Sequence, residues 1–289
     1  MRLSIITVNL NNASGLKRTI DSVRNQTASG QFEHVIIDGS SSDGSLDVIN
    51  EYDYSDLIWI SEKDSGVYEA MNKGVKLAHG DYLLYLNSGD VLYDKSVIND
   101  VLPELDKNVG LVIGRIVLDK TQEVTPVESE LSLLSIYSSY IPHPASFIRR
   151  DLLEKRPYDQ QLRICSDWKF FLETLILDGV DYKCIDRIIS VFDQTGLSST
   201  HDEIIAREKR QILSECVPER VLTDYQAFTK LKYYDVSTYD RFFSQLKKTN
   251  LGRLIYTIDV VLSKCASVFI KRARFAKAFP LFVPKRKSD

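Results

Sequence analysis

The 289-residue sequence predicts an α/β fold: a mostly parallel sheet flanked by helices, with a helical C-terminal appendage. Three observations carry this expectation. Short apolar runs alternate with helical periodicity through the first hundred residues, each run ends in a polar loop rich in Asn, Ser, Gly or Asp, and the length can bury one large core plus an appendage.

The first strand is expected over 3–8, ending in "NLNNASG", and helical spacing follows over 15–26. A second strand at 33–38 ends in "DGSSSDGS" and leads to a helix over 45–52; a third at 57–61 ends in "SEKDSG" and leads to a helix over 67–79. The fourth, 82–86, runs directly into Asn87-Ser88-Gly89-Asp90, with a helix over 95–102 behind it. All four polar loops therefore lie at carboxyl ends of strands, the edge where open α/β sheets bind ligands. Beyond residue 108 the pattern weakens. An extended stretch at 109–118, a polar connection at 119–130 and a short segment at 131–141 precede a helix from Asp167 to about Leu177 and strand character in "YKCIDRIISVFD". From His201 helical patterns dominate, and Leu251, Leu254, Ile255, Ile258, Val261 and Leu262 keep one helix face apolar.

Composition excludes several classes. A 44% apolar and 27% charged chain is neither disordered nor collagen-like. Its four cysteines lack any C-x-x-C spacing, which argues against a zinc ribbon or a disulfide framework. The apolar run at 3–8 is too short for a signal peptide, and Leu254 to Ile270 is broken by Asp259 and Lys264, so a cytoplasmic address without a membrane span is expected. The net charge of −3 conceals an asymmetry: residues 251–289 carry nine Lys/Arg against two Asp/Glu, and everything before them is acidic. With aromatic residues interleaved, that tail is expected to lie on an anionic membrane face. Docking on the protein's own core and helical dimerisation to a homodimer are its competing readings. Nucleic acid is not expected as a partner, because the acidic body repels phosphate and no recognition motif is present.

No G-x-G-x-x-G opens a helix and no Walker-type loop occurs; Gly39 and Gly44 have the spacing, but Ser45 and Leu46 stand where Lys and Ser/Thr would be needed. What the sequence delivers to one edge is a set of acids: Asp38, Asp64, Asp90 and, later, Asp167. Like charges confined together raise one another's pKa unless a cation or hydrogen-bond donors join them. Mg2+ or Mn2+ bound to a substrate diphosphate supplies such a cation with as few as one protein carboxylate.

The segments "SIITVNLNN", "VIIDGSSSDGS", "SEKDSGVYEAMNKGVKLAHGDYLLYLNSGD" and "HPASFIRRDLL…ICSDWKFFLE" resemble family 2 glycosyltransferases of the GT-A fold, bacterial surface-polysaccharide type, over roughly residues 1–195. The resemblance implies a catalytic domain over 1–200, with a nucleotide-binding half at 1–105 and an acceptor half at 106–200, followed by a helical region at 201–289. It implies an inverting transfer from a nucleotide-sugar donor, UDP-linked, to a glycan or lipid-linked glycan in polysaccharide assembly, on the inner face of the plasma membrane. By position it places Asp38 and Gly39 against the base, with Thr7 and Asn9 beside them, and Asp64, Asn72 and Lys73 near the donor. Met71 stands where many members carry Arg, which leaves phosphate contact to Lys73 or to backbone donors. Asn87 and Ser88 meet the ribose, and Asp90, the surviving acid of an Asp-x-Asp motif, ligates Mn2+ or Mg2+. Asp167 is the general base. Local chemistry offers alternatives: an Asx-turn for Asp38, an exposed helix lysine for Lys73, a helix cap for Ser166 or Asp167, and a rigid loop for His143 between two prolines. Two rival functions stay open, a sugar nucleotidyltransferase and a catalytically silent nucleotide- or sugar-binding partner.

Overall fold

The computed structural model describes residues 2–28, 30–52, 54–127, 130–196 and 201–227. Its centre is a mixed eight-stranded sheet, order β3-β2-β1-β4-β7-β6-β8-β5. The strands are β1 (Leu3–Asn9), β2 (Phe32–Asp38), β3 (Leu57–Ser61), β4 (Tyr82–Tyr85), β5 (Val91–Leu92), β6 (Leu111–Leu118), β7 (Ser146–Arg149) and β8 (Tyr182–Phe192). The first four pair in parallel, with Asn9 opposite Asp38 and Asp38 opposite Ser61. Every residue of β1, β2 and β4 is buried, as expected of strands covered on both faces.

The helices that cover this half are amphipathic for readable reasons. In α1 (Ala13–Arg24), Leu16, Thr19, Ile20 and Val23 fall on one face, and the Asn12 side chain caps the first turn by accepting from the Gly15 N–H. Leu16 and Ile20 pack with Ile36, Ile49 and Tyr52, which brings α2 (Ser45–Asn50) onto the same layer. On the other side, α3 (Val67–Leu77) buries Tyr68, Met71 and Val75. Short helices α4 (Val97–Val101), α5 (Leu133–Ser138) and α6 (Arg150–Lys155) follow.

Where patterning was weak, the structure adds detail. "HPASFIRR" contains β7, four residues long, inserted antiparallel between β4 and β6. Because β7 runs backwards, its amino end, with His143 and Pro144 just before it, arrives at the carboxyl edge of β4. The stretch 182–192 forms one long strand, β8, and the chain just beyond its end delivers Asp193 to that same edge. The helix expected from Asp167 begins at Ser166 as α7 (Ser166–Phe171) and widens into a π-helical turn over Leu172–Leu177.

Helix α8 (Asp202–Cys216) belongs to the same compact unit as the sheet, Met1–Pro218. A second unit spans Glu219–Asp289; its described part, residues 219–227, is helical. The basic segment 251–289 lies outside the described residues. Among those described, no helix is long and apolar enough to cross a membrane.

Candidate active site

The carboxyl edge divides into two neighbouring groups of side chains. The first, at the ends of β1 to β3, is held almost entirely by its own hydrogen bonds. Asp38 is fully buried; its Oδ1 accepts from Asn9 Nδ2 at 2.8 Å, and its Oδ2 accepts from Ser61 Oγ at 2.7 Å and the Ser41 N–H at 2.9 Å. Burial works against this charge, but the bonds from Ser41, Ser61 and Asn9 outweigh it and hold the carboxyl below its ordinary pKa. Ser41 also accepts from the Asn11 N–H, so the loops after β1 and β2 interlock. A side chain at Gly39 would stand 2.8 Å from Asp64 Oδ2, which brings Asp64 against the Asp38 turn. Burial, with the nearby Asp38 charge, raises the Asp64 pKa. One atom of this group has no partner: Asn9 Oδ1 is buried and unsatisfied.

Three further residues singled out from sequence have side chains engaged by the chain itself. Thr7 is fully buried, donating to the Leu86 carbonyl at 2.8 Å and meeting His34 Nε2 at 2.9 Å. Asn72 exchanges two bonds with the Tyr158 backbone, at 2.8 and 3.0 Å. Lys73 pairs with Glu62 at 2.9 Å and Glu69 at 3.3 Å.

The second group lines a cavity of about 660 Å3, and here Asn87, Ser88, Asp90 and Asp167 come together. The loop that ends β4 is clamped by α1: the Thr19 hydroxyl donates to the Asp90 carbonyl at 2.7 Å and accepts from the Gly89 N–H at 3.0 Å. Gly89 has φ +111°, and a Cβ there would lie 2.5 Å from Asp193 Oδ2, so both conformation and space demand glycine. Asp193 supports the floor of the site by donating its N–H to Asp90 Oδ1 at 2.8 Å, while its own carboxylate pairs with Arg18 at 3.1 Å. Burial pushes Asp90 up to about 7, against the opposing effects of the His143 charge and the Asp193 N–H.

Asp167 opens α7 and is gripped from two sides. Oδ1 lies 3.0 Å from the Tyr68 hydroxyl, which also reaches the Ile164 carbonyl, and Oδ2 lies 3.3 Å from His143 Nδ1. The other ring nitrogen, Nε2, is 3.2 Å from Asn87 Nδ2. In the neutral imidazole Asn87 donates to Nε2 and the Nδ1–H is aimed at Asp167. Burial opposes the charged ring, yet the Asp167 bond and the fields of Asp167 and Asp90 prevail and raise the His143 pKa. For Asp167, burial likewise opposes charge, and His143 and Tyr68 hold it below the ordinary carboxylate range. The loop before α7 is fixed by Glu208 of α8, whose buried carboxylate accepts the N–H groups of Arg163, Ile164 and Cys165 at 2.8, 3.0 and 2.9 Å.

The sequence offered His143 only as a rigid loop residue and did not single out Asp193 or Glu208. Tyr68, only 6% exposed, packs in the core and reaches Asp167 with its hydroxyl. A signal for His143 existed in its place between two prolines, which restrict the backbone that carries it. No comparable signal marks Asp193 or Glu208, whose partners lie 103 and about 44 residues away.

Residues 4–164 match the family model described as Glycosyl transferase family 2. An uncharacterized glycosyltransferase of Mycobacterium tuberculosis is 32% identical over 206 residues, covering 68% of this chain and 77% of the relative. A PGL/p-HBAD biosynthesis glycosyltransferase of Mycobacterium bovis is 32% identical over 204 residues, covering 68% and 79%. Among solved structures, S. aureus TarS in complex with UDP-GlcNAc superposes with a TM-score of 0.61 at 17% identity, covering 81% of this chain and 73% of that one. The mannosyltransferase PcManGT of Pyrobaculum calidifontis, in complex with GDP-Man and Mn2+, gives 0.59 at 14% identity, covering 91% and 80%. The structural likenesses establish the GT-A fold, and the matched sequence, more than half of the chain, places it in glycosyl transferase family 2.

Proposed function

We propose that this chain is an inverting glycosyltransferase that moves a sugar from a UDP-linked donor to a hydroxyl of a glycan or lipid-linked glycan, assisted by a divalent cation. The observation that carries this reading is that Asp90 and Asp167, one from each half of the chain, line a single cavity with His143 coupled to both. Donor chemistry fits the first group of residues: Asn9 Oδ1, buried and unpartnered beside Asp38, is free to accept an imide N–H, the group that uracil presents. TarS holding UDP-GlcNAc supports the same choice of donor.

A hard cation suits the second group. Asp90 is a buried carboxylate and Asn87 Oδ1 is buried without a partner. Among the described residues no cluster of three or more His, Cys, Asp or Glu forms an all-protein cage. Such a donor set matches Mn2+ or Mg2+ held by one or two protein oxygens and completed by substrate phosphates, and PcManGT with GDP-Man and Mn2+ supports it. When bound, the ion neutralises charge developing on the departing diphosphate.

Asp167 takes the proton of the acceptor hydroxyl as its oxygen bonds to the anomeric carbon; the bond to the nucleoside diphosphate breaks and its electron pair stays with the phosphate oxygen. Tyr68 and His143 each engage one carboxylate oxygen and so fix the base in orientation. Lys73 contacts phosphate only if it leaves Glu62 and Glu69.

The test is a panel of UDP-, dTDP- and GDP-sugars with Mn2+, read by donor consumption and thermal shift. The expected outcome is turnover of a UDP-sugar that Asp167→Asn lowers by about a hundredfold to ten-thousandfold while donor binding persists. Equal loss of donor binding in that variant would remove Asp167 from the role of base.

A further inference from the structure

The proposed acceptor side of the cavity is apolar in a way that transfer to a bare sugar does not require. Together with Asp90 and Asp167 the cavity is lined by Ile116 and Leu118 of β6, Ile141 and Pro142 of the connection to β7, Trp168 of α7 and Ile205 of α8. Trp168 is held in place by the chain. The Trp168 indole N–H donates to the Ile136 carbonyl at 3.0 Å, and Lys209 Nζ sits 4.8 Å from the ring centroid while donating to the Ser139 carbonyl at 3.3 Å. The Trp168 N–H and the Lys209 ammonium are thus already committed to the chain. Sugar hydroxyls pressed against such a wall lose water without gaining partners, which is costly; methylene or aromatic surface placed there gains by leaving water.

We propose that this half of the cavity is an aglycone subsite, and that the acceptor is a hydroxyl compound whose neighbouring group is an alkyl chain or an aromatic ring. The inference rests on the reading of Asp167 as base, which locates the acceptor hydroxyl in the same cavity. A glycan acceptor then reaches the site through the apolar group at its reducing end, and the wall selects that end over the interior of a long polar chain.

The experiment uses methyl, butyl and octyl glucosides below micelle-forming concentrations, with the full chain. Binding is read first, without donor, from the fluorescence of Trp168, with Trp168→Phe to subtract the signal of Trp59. Affinity should rise by about fourfold per buried methylene until the cavity is filled, and kcat/KM in the presence of donor should rise in parallel, mainly through KM. Ile205→Ser should reduce the octyl-to-methyl preference by roughly tenfold, and Ile205→Leu should restore it. Donor turnover with no dependence on chain length, or octyl glucoside that leaves Trp168 unperturbed, overturns the aglycone subsite and leaves the glycosyltransferase reading intact. Absence of turnover with every nucleotide-sugar, acceptor or none, removes both.

Discussion

Two carboxylates at the same sheet edge are treated in opposite ways. Asp38, at the end of β2, is fully buried, and its serine and asparagine partners hold it in the charged form. Asp90, just beyond β4, is 3% exposed, and its carboxylate, which accepts from the Asp193 N–H, has no side-chain donor beside it among the described residues; burial drives its pKa up to about 7. A buried carboxylate with its donors in place is a structural clamp. One left short of donors stores a demand that a cation can meet, and that contrast separates scaffold from chemistry more sharply than the presence of an acid does.

The comparison breaks if both acids respond alike to neutralisation. Asp90→Asn is expected to lower turnover by at least about a hundredfold and, at pH 8 without metal, to raise stability. The sign follows from linkage. A carboxyl whose folded pKa lies above its unfolded value contributes fully below about pH 4 and loses that contribution as pH rises through about 7. The loss, on the order of a few kcal/mol, is absent from the variant. Melting curves with and without Mn2+ check this: the ion should stabilise the parent and leave Asp90→Asn unmoved.

Asp38→Asn should go the other way. The amide keeps one accepting oxygen but points an NH2 at donors, so about 2 kcal/mol of stability is expected to disappear, measured by urea unfolding at pH 7. If Asp38→Asn proves neutral, the clamp is not what holds the two loops together.

A smaller effect sharpens the comparison within the cavity. His143→Gln removes the ring that lowers the Asp167 pKa, so Asp167 should protonate at higher pH and the acid limb of the kcat/KM profile should move upward. A fall of about tenfold in kcat with donor KM unchanged is expected. An unshifted acid limb would assign His143 to packing alone.

Most of the parallel half of the fold was legible because its determinants are local. Apolar runs buried on both faces, and loops of Asn, Ser and Gly at their ends, can be read without knowing what lies opposite. β7 was not legible: four residues carry too little periodicity, and their register is set by β4 and β6 rather than by themselves. The site divides on the same line. Asp90 and Asp167 announce themselves at element ends, whereas Asp193 and Glu208 work through backbone N–H groups contributed by distant segments. Thr7 shows the converse, a polar residue at a strand end whose hydroxyl turns into the core and closes a network there.

That network gives a prediction for the scaffold side alone. Thr7 donates its proton to Leu86, so it must accept from His34 Nε2–H, which leaves Nδ1 to accept from the Tyr54 hydroxyl at 2.9 Å. Every polar atom of a neutral ring is thereby satisfied, and a second ring proton has no acceptor. Burial accordingly lowers the His34 pKa from 6.5 to about 3. A folded state that refuses a proton the unfolded chain accepts is at full stability above pH 6.5 and loses stability as pH falls toward 3. Between pH 7.5 and 5.5 the contribution is about 1 kcal/mol, and it should vanish from the pH dependence of His34→Gln even though that variant is less stable at every pH. Unfolding free energies of parent and variant at the two pH values decide the matter; parallel slopes would mean that the ring takes up its proton in the folded state, with the Tyr54 hydroxyl turned to accept it.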